Sequence, residues 1–522
     1  MAGRLARTVG AAVAGVGTGL SFAPHHWVWL LPLALALLTL LCMGRRLRSG
    51  AWTGAVFGTA FMLVLLPWVQ VIGVYAWIPL SLLEGLFYAL AGLATSAVTR
   101  PAARLRWWPL WAATSWVLLE ALRGWLPFGG FPWGRLAFAV EDTPVSPALA
   151  YVGAPGVTFL VALLGTSLAW ALLAVRRSPA RAVAGLAAAI ALACVASVWP
   201  WQATRTGDRR VTVAAVQGNV PGEGLEAFAE RRLVLDNHVA ATQAFAQRVA
   251  RGEAKQPDFV VWPENSSDID PYTDAAARTA IGDAAVAVQA PLLMGAVVGQ
   301  RDVGGWHNRA IVWSAAGRPG AWYDKTHPVP FGEYIPLRGL LAARIPALSM
   351  IPNDMVRGTR PGVLRLGPAR AGVLMCFEVA YDGLLRGLVH GGADVIVVPT
   401  NNATYSGTGQ LEQQFAMSRL RAVETGRYVV VASTNGISGI IAPDGHVVAQ
   451  APQRRQVVLD RTIELISRTT PASDLGPWPE RGLSAVSVIS VLAGLALGYR
   501  RRSAHRDRSP LPGRAGGARP EE

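Results

Sequence analysis

The sequence predicts a polytopic α-helical membrane protein of about eight spans that carries one exported α/β domain. Three observations lead there. Of 522 residues, 52% are apolar and 16% charged, against roughly 25% charged in ordinary soluble domains. Charge-free runs recur, and at Arg210 the pattern changes to short β-rich segments. The mean hydropathy of +0.32 excludes disordered, collagenous and purely cytosolic globular classes.

From Thr8 to Gly44 no residue is charged. At about 1.5 Å per residue the run is too long for one crossing of a roughly 30 Å core. It breaks at Pro24-His25-His26, giving spans at 5–22 and 27–43. Further spans are expected at 51–72, 76–98, 107–124, 157–175, 182–200 and 482–499. The second apolar span follows at once, which argues against a cleaved signal peptide.

Arginines assign the sides. Arg4 and Arg7 precede the first span; Arg45, Arg46 and Arg48 follow the second; Arg100, Arg104 and Arg106 follow the fourth. Arg176, Arg177 and Arg181 follow the sixth, and Arg500, Arg501 and Arg502 the eighth. The alternate loops nearly lack them. The positive-inside rule puts both termini in the cytoplasm and the large domain on the outer face of the membrane. The net charge of +15 is therefore a topology signal and not a nucleic-acid patch. The expected units are a seven-span membrane domain (1–200), an exported domain (201–480), an eighth helix (481–500) and a disordered basic tail (501–522).

Glu84 and Glu120 lie in apolar surroundings, where a charge needs a partner or a cavity. Glu120 and Arg123 are three apart, so an ion pair on one helix face is the simple expectation. Residues 126–138, LPFGGFPWGRLAF, read as an outer loop with Trp125 and Trp133 at headgroup level.

In the exported part, strands are expected at 211–217, 258–263, 292–298, 309–314, 371–378, 394–400 and 428–434, buried on both faces. Helices are expected at 224–251, 273–289, 380–390 and 410–426, and a hairpin at 439–449 around Asp444-Gly445. The alternation argues a layered α/β domain. Residues 326–366 show no clear strand.

Cys42, Cys194 and Cys376 have no metal-ligand or disulfide spacing, so neither a metal nor another cofactor is expected. Cys376 alone lies in the exported domain. By position, a nucleophile and an ordinary buried cysteine are equally open. A nucleophilic thiol needs a base or a cation nearby. His238, His307, His327, His390 and His446 show no cysteine–histidine signature. The chain has 46 arginines and two lysines, Lys255 and Lys325. A retained lysine is informative because it, unlike arginine, can be deprotonated. Lys325, in YDKTHPVPFGEYIP, is the candidate; Lys255 reads as a surface residue. Glu264, in VVWPENSSD, follows a strand end.

WPE (262–264), DK (324–325) and CFE (376–378), in this order and spacing, resemble the Glu–Lys–Cys constellation of the nitrilase, or carbon–nitrogen hydrolase, superfamily. With VQGN (216–219), PFGEYIP (330–336), NNATY (401–405), RLRAVETGR (419–427), STNG (433–436), ExxRG (120–124) and GFPW (130–133), the chain resembles the superfamily's membrane branch, the bacterial apolipoprotein N-acyltransferases, over residues 1–500. The resemblance implies a nitrilase-like αββα sandwich with Glu264 as general base, Lys325 at the oxyanion and Cys376 as nucleophile. Glu333 and Glu378 would support them, and Phe377, Asn402 and Tyr405 would meet substrate. Phe377 stands where the family commonly has Tyr, and Asn402-Ala403-Thr404 where it has Asp-Ala-Trp.

The implied reaction moves an acyl chain from a phospholipid donor, through a Cys376 thioester, to the α-amine of a diacylglyceryl-modified apolipoprotein acceptor. A monomer suffices. Residues 336–352 read as a membrane-dipping lid or as an edge-covering loop. The alternatives are a membrane-tethered amidase or nitrilase acting on a small substrate, and a transporter or scaffold with an inactive outer domain.

Overall fold

A computed structural model describes residues 2–100, 105, 107–201, 209–220, 231–300, 305–341 and 353–506. The N-terminal part is helical: α1 (Ala2–Gly19), α2 (Leu30–Cys42), α3 (Leu47–Leu65), α4 (Val74–Leu86), α5 (Ala89–Thr99), α6 (Trp108–Arg123), α7 (Leu149–Ala174) and α8 (Pro179–Val198). The expected break at 24–26 falls between α1 and α2. The expected span 76–98 is two helices, α4 and α5, joined through a tightened turn in which Tyr88 N–H donates to Gly85 O at 3.1 Å. Among the described residues, four helical stretches are long and apolar enough to cross a membrane: Val74–Thr99, Ser146–Ala174, Pro179–Val198 and Trp478–Tyr499. Small residues let the helices meet. A Cβ on Gly54 would lie 2.2 Å from Tyr88 O, so α3 and α5 touch backbone to backbone there.

The C-terminal domain has two six-stranded sheets. The first runs β12-β1-β2-β3-β4-β5, built from β1 (Arg210–Gln217), β2 (Phe259–Val261), β3 (Leu292–Gln300), β4 (Gly305–Trp313), β5 (Pro319–Asp324) and β12 (Val457–Glu464). The second runs β11-β10-β9-β8-β7-β6, built from β6 (Val363–Leu366), β7 (Ala369–Val373), β8 (Val395–Thr400), β9 (Val429–Ser433), β10 (Gly439–Ile441) and β11 (Val447–Gln450). In each sheet three central strands are parallel and the outer ones antiparallel.

Alternation along the strands makes the layers. Val213, Ala215, Val261 and Leu293 face Ala371, Val373, Val397 and Val430 between the sheets. The opposite face of the first sheet, with Ala214, Val216, Val260 and Met294, packs on α9 (Arg231–Ala250) and α10 (Ala275–Val288). The opposite face of the second sheet packs on α12 (Asp382–His390) and α13 (Gln410–Thr425). That outer core continues without a break into Phe57, Phe61, Trp68, Trp116 and Trp133 of the N-terminal part. α11 (Arg338–Leu341) and α14 (Pro471–Leu475) are single turns, and α15 (Trp478–Arg506) returns along α5, α6 and α7.

Several expectations are corrected. Glu120 and Arg123 do not pair. Arg123 Nη1 instead meets Glu84 Oε2 at 3.2 Å, and Glu120 accepts from Leu136 N (2.8 Å) and Thr158 Oγ1 (2.7 Å). Trp125 is 80% exposed, but Trp133 is 1% exposed, because its ring stacks on Phe377. β5, β6 and β12 were not expected, and β6 lies within 326–366. They are edge or near-edge strands whose solvent-facing residues break up the apolar runs. Cys376 does not end a strand; β7 stops at Val373 and a 3-10 turn begins at Cys376. α15 extends through Arg506, six residues past the expected helix end at 500. Of the expected lid, 342–352 lies outside the described residues, as do Arg104, Arg106, 224–230 of the expected helix and 507–522 of the tail.

Candidate active site

Glu264, Lys325 and Cys376 converge from three connections. Glu264 follows β2 after Trp262-Pro263. Trp262 is buried, with Nε1 donating to Thr242 Oγ1 at 2.9 Å, and anchors the turn. Gly295 of β3 lets the turn lie close: a Cβ there would sit 2.6 Å from Glu264 Cα. Lys325 follows β5 directly. Its N–H donates to Asn308 O, and its own carbonyl accepts from Gly358 N, both at 2.9 Å. Cys376 has φ = +52°, a left-handed conformation that costs a non-glycine residue about 1–3 kcal/mol and tends to mark functional turns.

Glu378 holds that turn. Its carboxylate accepts from Met375 N (2.9 Å), Thr326 N (2.7 Å), His327 N (3.0 Å) and Tyr323 OH (2.9 Å). One fully buried side chain thus ties the cysteine turn to the lysine loop. Arg421 closes the other end, donating to Val379 O (2.8 Å) and Ala380 O (2.9 Å).

Lys325 Nζ lies 2.8 Å from Glu264 Oε1 and 3.0 Å from Glu333 Oε2. Asn308 Nδ2 donates to Glu264 Oε1 and to Glu333 Oε1, both at 2.7 Å, and Asn401 N donates to Glu264 Oε2 at 2.9 Å. Glu264 and Lys325 are each 2% exposed. Burial alone would lower the Lys325 pKa, but the Glu264 and Glu333 carboxylates outweigh it and hold it well above the usual lysine value. The ammonium is permanent at working pH. Cys376 is shifted the other way: burial and the Glu264 and Glu333 charges push the thiol upward against the pull of Lys325. It rests as a thiol, with Sγ 3.7 Å from Gln414 Oε1 and close enough to Glu264 to feel its charge. A neutral nucleophile beside an ionised carboxylate can pass its proton only as the attack proceeds.

Glu333 bridges Lys325, while Glu378 acts on the backbone flanking the cysteine and the lysine without contacting the ammonium. Phe377 stacks on Phe131 (5.5 Å) and Trp133 (5.8 Å), walling the site against the N-terminal part. Tyr405 packs edge-on against Trp68 (5.1 Å), and burial raises its phenol. Asn402 is not brought to the carboxylates; its Oδ1 accepts from Ser433 Oγ at 2.8 Å. Its neighbour Asn401 reaches Glu264 instead. His238 is buried and, through that burial, lowered to about 4, with Nδ1 at Val234 O.

Asn308, Asn401 and Gln414 were missed. NNATY pointed to the right segment, and an asparagine inside the apolar strand β4 was a usable signal. Gln414 gave none. It is one of two adjacent glutamines on α13, about 100° apart around the helix. Gln414 donates to Thr400 Oγ1 (2.9 Å) beside Cys376. Gln413 faces the helical part, accepting from Trp68 Nε1 (3.1 Å) and Trp133 Nε1 (2.7 Å) and donating to Ala23 O (3.1 Å) and Leu65 O (3.0 Å).

Two six-stranded sheets between helical layers, with the cysteine turn beside a buried Glu–Lys pair, define a domain of the carbon–nitrogen hydrolase class. The family model for "Carbon-nitrogen hydrolase" matches residues 212–470, and that for the "Apolipoprotein N-acyltransferase N-terminal domain" matches 14–167. The chain belongs to the apolipoprotein N-acyltransferase family. It is 40% identical to the apolipoprotein N-acyltransferase of Mycolicibacterium smegmatis, over 92% of this chain and 83% of that one. It is 31% identical to the protein of that name from Chromobacterium violaceum, over 95% and 94%. Among solved structures, a carbon–nitrogen hydrolase from Helicobacter pylori G27 aligns at 14% identity and a TM-score of 0.37, covering 52% of this chain and 95% of that one.

Proposed function

We propose that this chain is a membrane acyltransferase that moves a fatty acyl chain from a phospholipid to the N-terminal amine of diacylglyceryl-cysteine on apolipoproteins, the last step of lipoprotein maturation. Glu264, Lys325 and Cys376 carry the reaction. Glu264 takes the thiol proton as sulfur attacks the ester carbonyl, and Lys325 and a backbone N–H hold the developing oxyanion. Collapse releases the lysophospholipid, whose alkoxide takes the proton from Glu264. The α-amine then attacks the thioester and gives its proton to Glu264, the amide forms, and the thiolate leaves and is reprotonated.

The observation that carries this reading is the left-handed Cys376 turn beside the buried Glu264–Lys325 ion pair, at the point where the α/β domain shares its core with apolar helices. A small soluble amide would need no such shared core. Phe377 and Tyr405 line the lipid side; Asn402 shapes the turn that presents Asn401.

The eight-span topology belongs to the same reading. The spans are α1, α2, α3, α4 with α5, α6, α7, α8 and α15; both termini are cytoplasmic and residues 201–480 lie outside. The arginine clusters support it. The monomeric state belongs to it too.

The test is lipoprotein N-terminal mass spectrometry in cells whose only copy of the gene carries Cys376→Ala. Diacylated N-termini are expected with the variant and triacylated ones with the wild type. Normal triacylation by the variant removes the nucleophile assignment.

A further inference from the structure

The rim of the site holds a cation that the reaction above does not use. Arg357 lies on the strand-like segment beside the lysine loop: Gly358 N donates to Lys325 O at 2.9 Å, and Arg357 Nε donates to Thr326 O at 2.9 Å. Its guanidinium thus sits one residue along from the oxyanion lysine. Arg309, Arg338, Arg419 and Arg421 of the same domain are each paired with carboxylates. Arg357 is exposed and meets none among the described residues. With Nε spent on a carbonyl, the two terminal nitrogens of the fork are left for another acceptor.

What surrounds it points to the chemistry of that acceptor. The His327 ring lies 4.1 Å from the Tyr381 ring, and its Nδ1 has no partner. Burial and the Arg357 charge lower His327 to about 4, so it is a neutral neighbour of a fixed positive charge. Tyr334 OH donates to Phe128 O at 3.1 Å, and the Phe128 and Phe331 rings meet edge to face at 6.5 Å. Phe128 and Phe331 are 47% and 41% exposed. One comes from the N-terminal loop and the other from the α/β domain, so the two halves of the molecule together present an apolar edge next to an unpaired guanidinium. A fork of N–H donors bordered by exposed aromatic rings suits an anion carried on an apolar body.

We propose that Arg357 binds the phosphodiester of the glycerophospholipid acyl donor, with the acyl chains along the Phe128–Phe331 edge. This rests on the acyltransferase reading and deepens it. The geometry places phosphate recognition next to Lys325, with the glycerol backbone spanning from the guanidinium to the ester carbonyl under attack. Arg357 makes no contact with the thiol or Glu264, so it acts on donor capture and not on bond making.

The experiment uses the full chain in detergent micelles and measures acyl-Cys376 formation from two donors with the same chains: a diacyl glycerophospholipid and the corresponding diacylglycerol, which has the esters but no phosphate. Arg357→Gln should raise the half-saturating phospholipid concentration about tenfold, leave the rate at saturation within about twofold, and leave the diacylglycerol reaction unchanged. Arg357→Lys should recover part of the loss. A merely structural role would slow both donors alike, and that result overturns the proposal, as does an unchanged phospholipid reaction. Wild-type enzyme forming no acyl-Cys376 from either donor would be a failure of the acyltransferase reading itself, seen before any variant is compared.

Discussion

Two buried charge clusters lie near each other and are built differently. At the junction between the helices and the α/β domain, Arg135 pairs with Asp382 and Glu480, and Arg421 with Asp382 and Glu424. In the site, Lys325 pairs with Glu264 and Glu333 beside a neutral thiol. In the junction the cations are arginines, whose planar forks fix several elements at once: Arg421 alone reaches two carbonyls and two carboxylates. In the site the cation is one of the chain's two lysines. A compact ammonium fits beneath a developing oxyanion where a guanidinium would fill the space. The difference separates a cluster whose charges stay put from one in which a proton must move.

The comparison can be broken most sharply by exchanging the cations. Lys325→Arg keeps the charge but should lower the acylation rate by about 10²–10³-fold, with thermal unfolding in detergent little changed. A rate within tenfold of wild type would mean that charge alone suffices there. Arg421→Lys should act mainly on stability. The lost fork leaves buried carbonyls short of donors, costing about 1–3 kcal/mol, read as a lowered unfolding temperature. An unchanged unfolding temperature would show that the junction tolerates a point charge.

A gentler probe is the pH dependence of iodoacetamide alkylation of Cys376. Because the thiol is raised, the thiolate fraction at neutral pH is below that of a free cysteine, whose pKa is about 8.5. The rate should start low and keep rising with pH past that value. A plateau near neutral pH would show a preformed thiolate and contradict the resting state described here. The smallest effect is expected for the other lysine. Lys255 is exposed, with Nζ 3.5 Å from Thr462 Oγ1, so Lys255→Arg should change stability by no more than about 0.5 kcal/mol and leave acylation untouched.

Much of this was legible in the sequence because it is written in one dimension. Charge-free runs and alternating arginines located the helices, though α3 ends and α7 begins well before the expected residues and 76–98 is two helices, and buried parallel strands stood out as apolar runs. Lys325 stood out because the chain uses arginine almost everywhere else. What stayed hidden depends on partners distant in sequence. Glu120 and Arg123 share a helix face, yet Arg123 finds Glu84 on α4, since α6 packs where a tertiary carboxylate is already waiting. β12, reading VVLDRTIE, is broken by charges because one side is exposed, and only its pairing along the whole of β1 makes it a strand. Glu378 was placed in support, but that it would bind backbone amides on both sides of the site required the fold. That Asn401 would turn its backbone N–H to Glu264 is likewise a matter of how the turn is folded.

The central claim is that Cys376 carries the acyl chain. Purified enzyme incubated with a phospholipid and no acceptor, then digested and measured by mass spectrometry, should show one acyl group on the Cys376 peptide. The adduct should be cleaved by hydroxylamine, lost on adding an acceptor amine, and absent from Cys376→Ala. An unmodified Cys376 peptide from enzyme that acylates lipoproteins in the same preparation would contradict the account.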